Sequence, residues 1–304
     1  MVGITEVKFR KMRFDIDETV PFQWHPANPA AGLMANIISF AAVGFERYIV
    51  LAVKEALKSG ISDPAVRAEA EVFLAQESQH SAAHRRHVNV LIARYPGLAD
   101  TLDRVIGSFE RVYEAEDLKF HLAYVANVEA SFPPLFSFFI EQRDCLYSGD
   151  SRVASLFLWH FIEEMEHRSS ADIIYQSVVG SRWYRLGAMR RTWRNQMRVV
   201  GMVIDGFAAH VPVADIGMAA EGFRKVTRNE WIYRVPLARR FFEPAEPRLY
   251  PGVATSALLR MYVGLALSQL PGRHPRDFPV PDWYHTWMLD YAAGADMAHY
   301  YGAA

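Results

Sequence analysis

The sequence predicts an all-α fold, a four-helix bundle followed by further helices. Three observations predict it. Capping residues and glycine or proline breakers mark off long segments of helical length. No stretch alternates apolar and polar residues as a half-buried strand would. Four glutamates, Glu46, Glu77, Glu129 and Glu164, fall on four successive long segments, and two of them open the motif Glu-x-x-His.

The elements follow in order. Residues 1–32 read as an irregular arm, rich in proline and aromatics around Phe22-Gln-Trp24-His25-Pro26. A first helix is expected over 31–59, ending at Gly60. Ser62-Asp63-Pro64 supplies an N-cap and an early-helix proline for a second helix, which runs to just before Pro96-Gly97. A shorter helix or helical crossover fills 98–117, and a third bundle helix starts near Leu118 and meets Pro133-Pro134. Pro133 cannot donate to the carbonyl of Glu129, so a kink is expected there that opens a cavity beside the bundle's acids; the alternative is a helix that ends. A fourth helix follows Gly149-Asp150 and lasts to Gly180. Beyond it lie an arginine-rich helix over 181–210 and helical pieces at 213–230, 250–269 and 282–301, with a proline-rich strap over 271–281. The domains are therefore 1–32 as an N-terminal arm, 33–180 as the bundle, and 181–304 as a helical extension packed on it, or a small second domain.

Composition narrows the function. At 304 residues the chain can bury a sizeable core, and 51% hydrophobic with 22% charged residues is ordinary for a soluble globular protein. A formal net charge of -1 gives no global attraction to nucleic acid. The single cysteine, Cys145, excludes an intramolecular disulfide framework and points to a reducing, cytoplasmic setting. Residues 1–13 are mixed and charged, without the apolar run of a secretory signal. Residues 33–53 are apolar enough to suggest a membrane span, but Glu46 and Arg47 interrupt them. An unpaired charge near mid-bilayer is costly, so the expectation is a buried bundle helix and no transmembrane segment.

Glu77-Ser-Gln-His80 and Glu164-Met-Glu-His167 carry the chemistry. Helix positions i and i+3 lie about 60° apart on one face, so each pair can aim at one target. Each pair follows a lone acid in an apolar stretch, Glu46 and Glu129, and a buried carboxylate is expensive unless paired or bound to a cation. For Glu46 the competing partner is Arg47. Glu77 comes 31 residues after Glu46, Glu129 a further 52 and Glu164 a further 35; the outer gaps suit antiparallel neighbours and the middle one leaves room for a crossover. Four carboxylates and two imidazoles in this order match the ferritin-like two-metal bundle. His84 and His160 share the helix stripes of the motifs, each as a further ligand or as a hydrogen-bonded neighbour. His87 and His121 sit further round, and Asp172 is a candidate acceptor from a ligand histidine. Tyr48 and Tyr124 lie near the acids as redox groups or as packing. Arg182, Arg185, Arg190, Arg191, Arg194 and Arg198, with Trp183 and Trp193, form either an anion- or partner-binding face or a solvated, salt-bridged one.

Phe45-Glu-Arg-Tyr48, Gln76-Glu-Ser-Gln-His80, Asn127-Val-Glu129 and Glu163-Glu-Met-Glu-His167 together resemble the bacterial family of predicted metal-dependent hydrolases, over most of residues 5–300. The ligand order is more distantly similar to ferritin-like di-iron proteins such as the ribonucleotide reductase small subunit and bacterial multicomponent monooxygenases. That similarity implies one metal on Glu46, Glu77 and His80, a second on Glu129, Glu164 and His167, and Glu77 and Glu164 as bridges. Carboxylates and imidazole suit iron, with manganese or a mixed Mn/Fe pair as alternatives. The leading expectation is a di-iron, O₂-activating oxidase or oxygenase acting on a small organic substrate, with a redox partner and a homodimer as expected associates. The alternative is a two-metal hydrolase using a metal-activated water. Iron handling, and a helical module without metal, are the non-enzymatic readings.

Overall fold

The protein, described by a computed structural model over residues 9–241, 247–270 and 272–301, is helical, with no strand among the described residues. Residues 1–8 of the expected arm, Pro271 of the strap and the last three residues lie outside them. The helices are α1 (Pro29–Ser59), α2 (Pro64–Arg94), α3 (Leu98–Ala115), α4 (Leu118–Glu129), α5 (Phe132–Glu141), α6 (Arg143–Leu146), α7 (Ser151–His167), α8 (Ser170–Val178), α9 (Arg182–His210), α10 (Val213–Ile216), α11 (Val226–Arg234), α12 (Thr255–Ser268) and α13 (Asp282–Ala292).

Local chemistry sets most boundaries. The Asn28 side chain accepts from the Ala31 amide at 3.1 Å, with Pro29 opening α1. Asp63 does the same for α2 through Ala65 at 2.8 Å, Asp117 for α4 through Phe120 at 2.9 Å, and Asp150 for α7 through Arg152 at 3.0 Å. Each cap satisfies one of the amides that a helix start leaves unpaired. The chain breaks after Glu129 and resumes at Phe132, as the missing Pro133 amide requires. A second break follows His167 directly. Both interruptions thus come immediately after an expected ligand.

The fourth predicted helix is therefore two helices, and the piece expected over 213–230 is divided among α10, a 3₁₀ turn at Ala220–Lys225 and α11. The last helix ends at Ala292, short of 301. There Gly294, at φ 84°, adopts the left-handed conformation that stops a helix.

α1 and α2 pack along each other, α9 lies across α3 and α4, and α5 sits between α7 and α12. One continuous apolar core runs from Phe14 in the arm to Met297 near the C-terminus. The arm is irregular but not peripheral: Phe14, Val20, Phe22 and Trp24 are buried, and Asn36 donates to the Phe22 carbonyl at 2.8 Å. At the far end, the Ser155 hydroxyl and the Tyr301 backbone exchange hydrogen bonds of 3.1 and 2.9 Å, tying the C-terminal segment to α7. α1 is long and apolar enough to cross a membrane, yet 72% of its most apolar window is buried inside the protein. It is a core helix here.

Candidate metal centre

α1, α2, α4 and α7 bring Glu46, Glu77, His80, Glu129, Glu164 and His167 to one buried place, none more than 3% exposed. Their facing atoms form two groups able to hold a cation: Glu46, His80 and His160 in one, Glu77, Glu129, Glu164 and His167 in the other. Within each group those atoms lie within 4.8 Å of one another. Glu164 spans both, with Oε1 2.9 Å from His160 Nε2 and Oε2 3.0 Å from His167 Nε2. Glu77 Oε1 also sits between the motif histidines, 3.1 Å from His167 Nε2 and 4.0 Å from His80 Nδ1.

The grouping differs from the expected one in one respect. His160, not Glu77, completes the trio around Glu46, because α7 places it one turn before Glu164. Glu46 Oε1 lies 3.5 Å from His160 Nε2. His84 stands behind, its Nε2 2.8 Å from His160 Nδ1 and its Nδ1 2.9 Å from the Ser39 hydroxyl. His87 reaches the same hydroxyl at 2.9 Å. His121 instead pairs with Tyr48 at 2.9 Å, and the Asn195 amide donates to the Tyr124 hydroxyl at 3.0 Å.

Other expectations fail on geometry. Arg47 points outward to Glu110 at 2.8 Å and leaves Glu46 without it. Asp172 faces Arg185 at 3.7 Å and His274 at 3.3 Å, not a ligand histidine. Among the six α9 arginines, Arg185 and Arg191 pair with Asp172 and Glu116.

The groups that orient the histidines are residues to which sequence reasoning assigned no role. His80 Nε2 meets Glu163 Oε2 at 3.0 Å, and His167 Nδ1 meets Gln76 Oε1 at 2.8 Å. Gln76 in turn donates to Glu166 at 3.1 Å, and Arg10 from the arm grips Glu166 with two bonds of 2.8 Å while lying 3.6 Å from Glu163. The pattern is crossed: the residue preceding each Glu-x-x-His holds the histidine of the other motif. A polar residue at that position in both copies was the available signal. Each contact anchors the outer ring nitrogen and turns the inner one towards the acids, the orientation that metal ligation requires. Gln76→Ala and Glu163→Ala are each expected to weaken metal binding about 10- to 100-fold, read by competition against a chelator.

Burial and charge set the protonation of the cluster. Burial, then the neighbouring acids, pushes Glu46 and Glu129 well above the carboxylate range, and Glu77 is raised by burial and Glu164. Burial alone would raise Glu164 too, but His167 and hydrogen bonds from the histidines hold it well below. Burial opposes charge on His80, yet the hydrogen bond to Glu163 and the neighbouring Glu164 and Glu77 carboxylates raise it to about 10, and Glu164 and Glu77 likewise hold His167 well above its usual value. Burial drives His160 and His87 down to about 4, and His84 well below its ordinary value. Glu46 Oε2, Glu77 Oε2 and Glu129 Oε1 are buried without a hydrogen bond. His80 Nδ1 also lacks one, with Glu164 Oε1 3.5 Å away. Four inward carboxylates, three of them with an unsatisfied oxygen, and two oriented imidazoles form a donor set that two divalent cations would neutralise.

Residues 8–247 match the family described as predicted metal-dependent hydrolases. The chain belongs to that family. The chain matches no curated protein and no solved structure. The matched region takes in the arm from Lys8, all four ligand-bearing helices and α9. Family membership speaks for metal dependence and for the hydrolytic alternative, and gives no support to oxidation as the leading reading.

Beside the centre lies a cavity of about 290 Å³. Glu46, Glu77, Glu164 and His160 form part of its wall, and Val128, Ser131, Phe132, Leu135 and Phe136 line it from the break between α4 and α5. The interruption expected at Pro133 thus borders a cavity beside the acids.

Proposed function

We propose that the protein is a two-metal hydrolase whose ions are held by Glu46, Glu77, His80, Glu129, Glu164 and His167, with His160 as a seventh donor. The observation that carries it is the pair of adjoining buried donor groups, joined through Glu164, in a chain of a metal-dependent hydrolase family. Two bound cations would supply a water of lowered pKa and polarise a carbonyl or phosphoryl oxygen.

The chain's own residues do the rest. Glu163 and Gln76 hold the two motif histidines in one orientation. Arg10 balances the charge of Glu163 and Glu166 outside the centre. His160, kept neutral by burial and held through Nδ1 by His84, turns Nε2 to Glu46 and Glu164 as a donor for a cation at the cavity wall. The apolar remainder of the wall excludes bulk water, which strengthens each of these interactions.

Metal analysis is expected to find two ions per chain, with iron or manganese the best match to the donors. Turnover of an ester, amide or phosphoester by the metal-loaded protein should persist without O₂ or reductant. Activity that appears only with O₂ and an electron donor, with O₂ consumed, would overturn hydrolysis. It would favour O₂-dependent oxidation at a di-iron centre, the reading that the glutamate-rich donor set and apolar cavity support.

A further inference from the structure

The cavity beside the centre carries more information than its presence. Its polar lining is nearly confined to the centre: Glu46, Glu77, Glu164 and His160. Outside them the polar groups on the lining residues are the Trp193 indole N–H, the Gln196 amide and the Ser131 hydroxyl, which is spent on the Val128 carbonyl at 2.6 Å. No lysine or arginine lines it. A charged or multiply hydroxylated body placed there would lose its water without finding partners.

Shape adds an orientation. Met197 of α9 is 59% exposed, while every other lining residue is buried or half-buried. The mouth is therefore at Met197, and the carboxylate wall is the inner surface. Ala41 and Ala42 of α1 leave room that larger side chains would fill. A cavity of about 150 Å³ accommodates benzene, so one of about 290 Å³ takes a single ring with a short chain or an alkyl chain of moderate length.

We infer that the substrate is a molecule with an uncharged hydrocarbon body, an acyl chain or an aromatic ring, which enters past Met197 and fills this cavity with its reacting group turned to Glu46, Glu164 and His160. The assignment rests on the two-metal reading for what happens at the inner wall. The apolar lining fixes the body.

The test uses the metal-loaded protein and n-alkan-1-ols from butanol to octanol, titrated calorimetrically, with triethylene glycol monomethyl ether as a polar chain. Saturable binding is expected to tighten about three- to fourfold per added methylene, and the glycol ether should bind at least tenfold more weakly than octanol. Ala42→Phe, and separately Leu135→Trp, should weaken octanol binding at least tenfold while circular dichroism and metal content stay unchanged. Absence of a chain-length effect, equal binding of the glycol ether, or undiminished binding by two folded, metal-loaded variants would each overturn the inference. Metal content measured on the same samples separates the two readings. Chain-length-dependent binding by a protein that takes up no metal supports the cavity assignment and counts against the metal centre alone.

Discussion

Glu77→Ala is expected to leave at most one metal ion per chain and to lower turnover about 10³-fold, the equivalent of several kcal/mol of transition-state stabilisation by the metals. Glu77 sits between the two motif histidines, so its loss disturbs both groups. The isosteric Glu77→Gln carries the sharper test because it removes charge and keeps volume. In the metal-free protein Glu77 is a buried acid pushed up by burial and by Glu164, so removing its charge relieves repulsion and should raise the melting temperature. In the metal-loaded protein the same change removes a ligand and should lower it. Calorimetry on both forms, beside metal analysis, checks the reversal. A glutamine variant that keeps two ions and shifts both melting temperatures alike would refute the ligand role.

Stripping the metals should lower the melting temperature by on the order of 10 °C, if the ions stabilise by about 4 kcal/mol and a chain of this size shifts a few degrees per kcal/mol. The metal-free form should also lose stability as pH rises from about 7 to 9. The sign follows from the groups that bind protons in the folded state alone. Glu46 and Glu129, held well above their ordinary values, keep protons that the unfolded chain has already released. His80, raised to about 10, and His167, raised well above 6.5, do likewise, so their stabilisation is full below pH 6.5 and fades as pH climbs towards their folded values. His84, His87 and His160, lowered by burial, act in the opposite sense while the unfolded chain loses its imidazole protons, and that gain is complete by about pH 7.5. The metal-loaded protein should show no such loss, since deprotonated ligands bind metal better. Melting curves at several pH values, with and without chelator, decide it. Parallel curves would contradict a centre whose vacant charge is balanced by protons.

Much of this centre is legible in the chain because its cues are local. Asn28, Asp63, Asp117 and Asp150 cap the helices on which Glu46, Glu77, Glu129 and Glu164 lie, and a cap acts within three residues of itself. The Pro133 interruption is equally local, since it follows from one missing amide. Where such cues are missing, helix boundaries do not show in the sequence. No proline or glycine announces the break after His167, whereas Gly217, at φ 78° directly after α10, is a local stop that one helix over 213–230 passes over.

Local pattern specifies the four helices that carry the acids, the order of the acids along them, and the i, i+3 pairing of Glu77 with His80 and of Glu164 with His167. A helix's period makes these properties of one segment. Which side chains meet across segments is a matter of tertiary packing: Gln76 with His167, Glu163 with His80, His160 beside Glu46, Arg10 over Glu166, and α9 against the cavity. Those contacts depend on how far each helix is rotated and how closely it packs, and both are set by the whole core. Arg10 lies 156 residues from Glu166 along the chain, so no local pattern could have joined them.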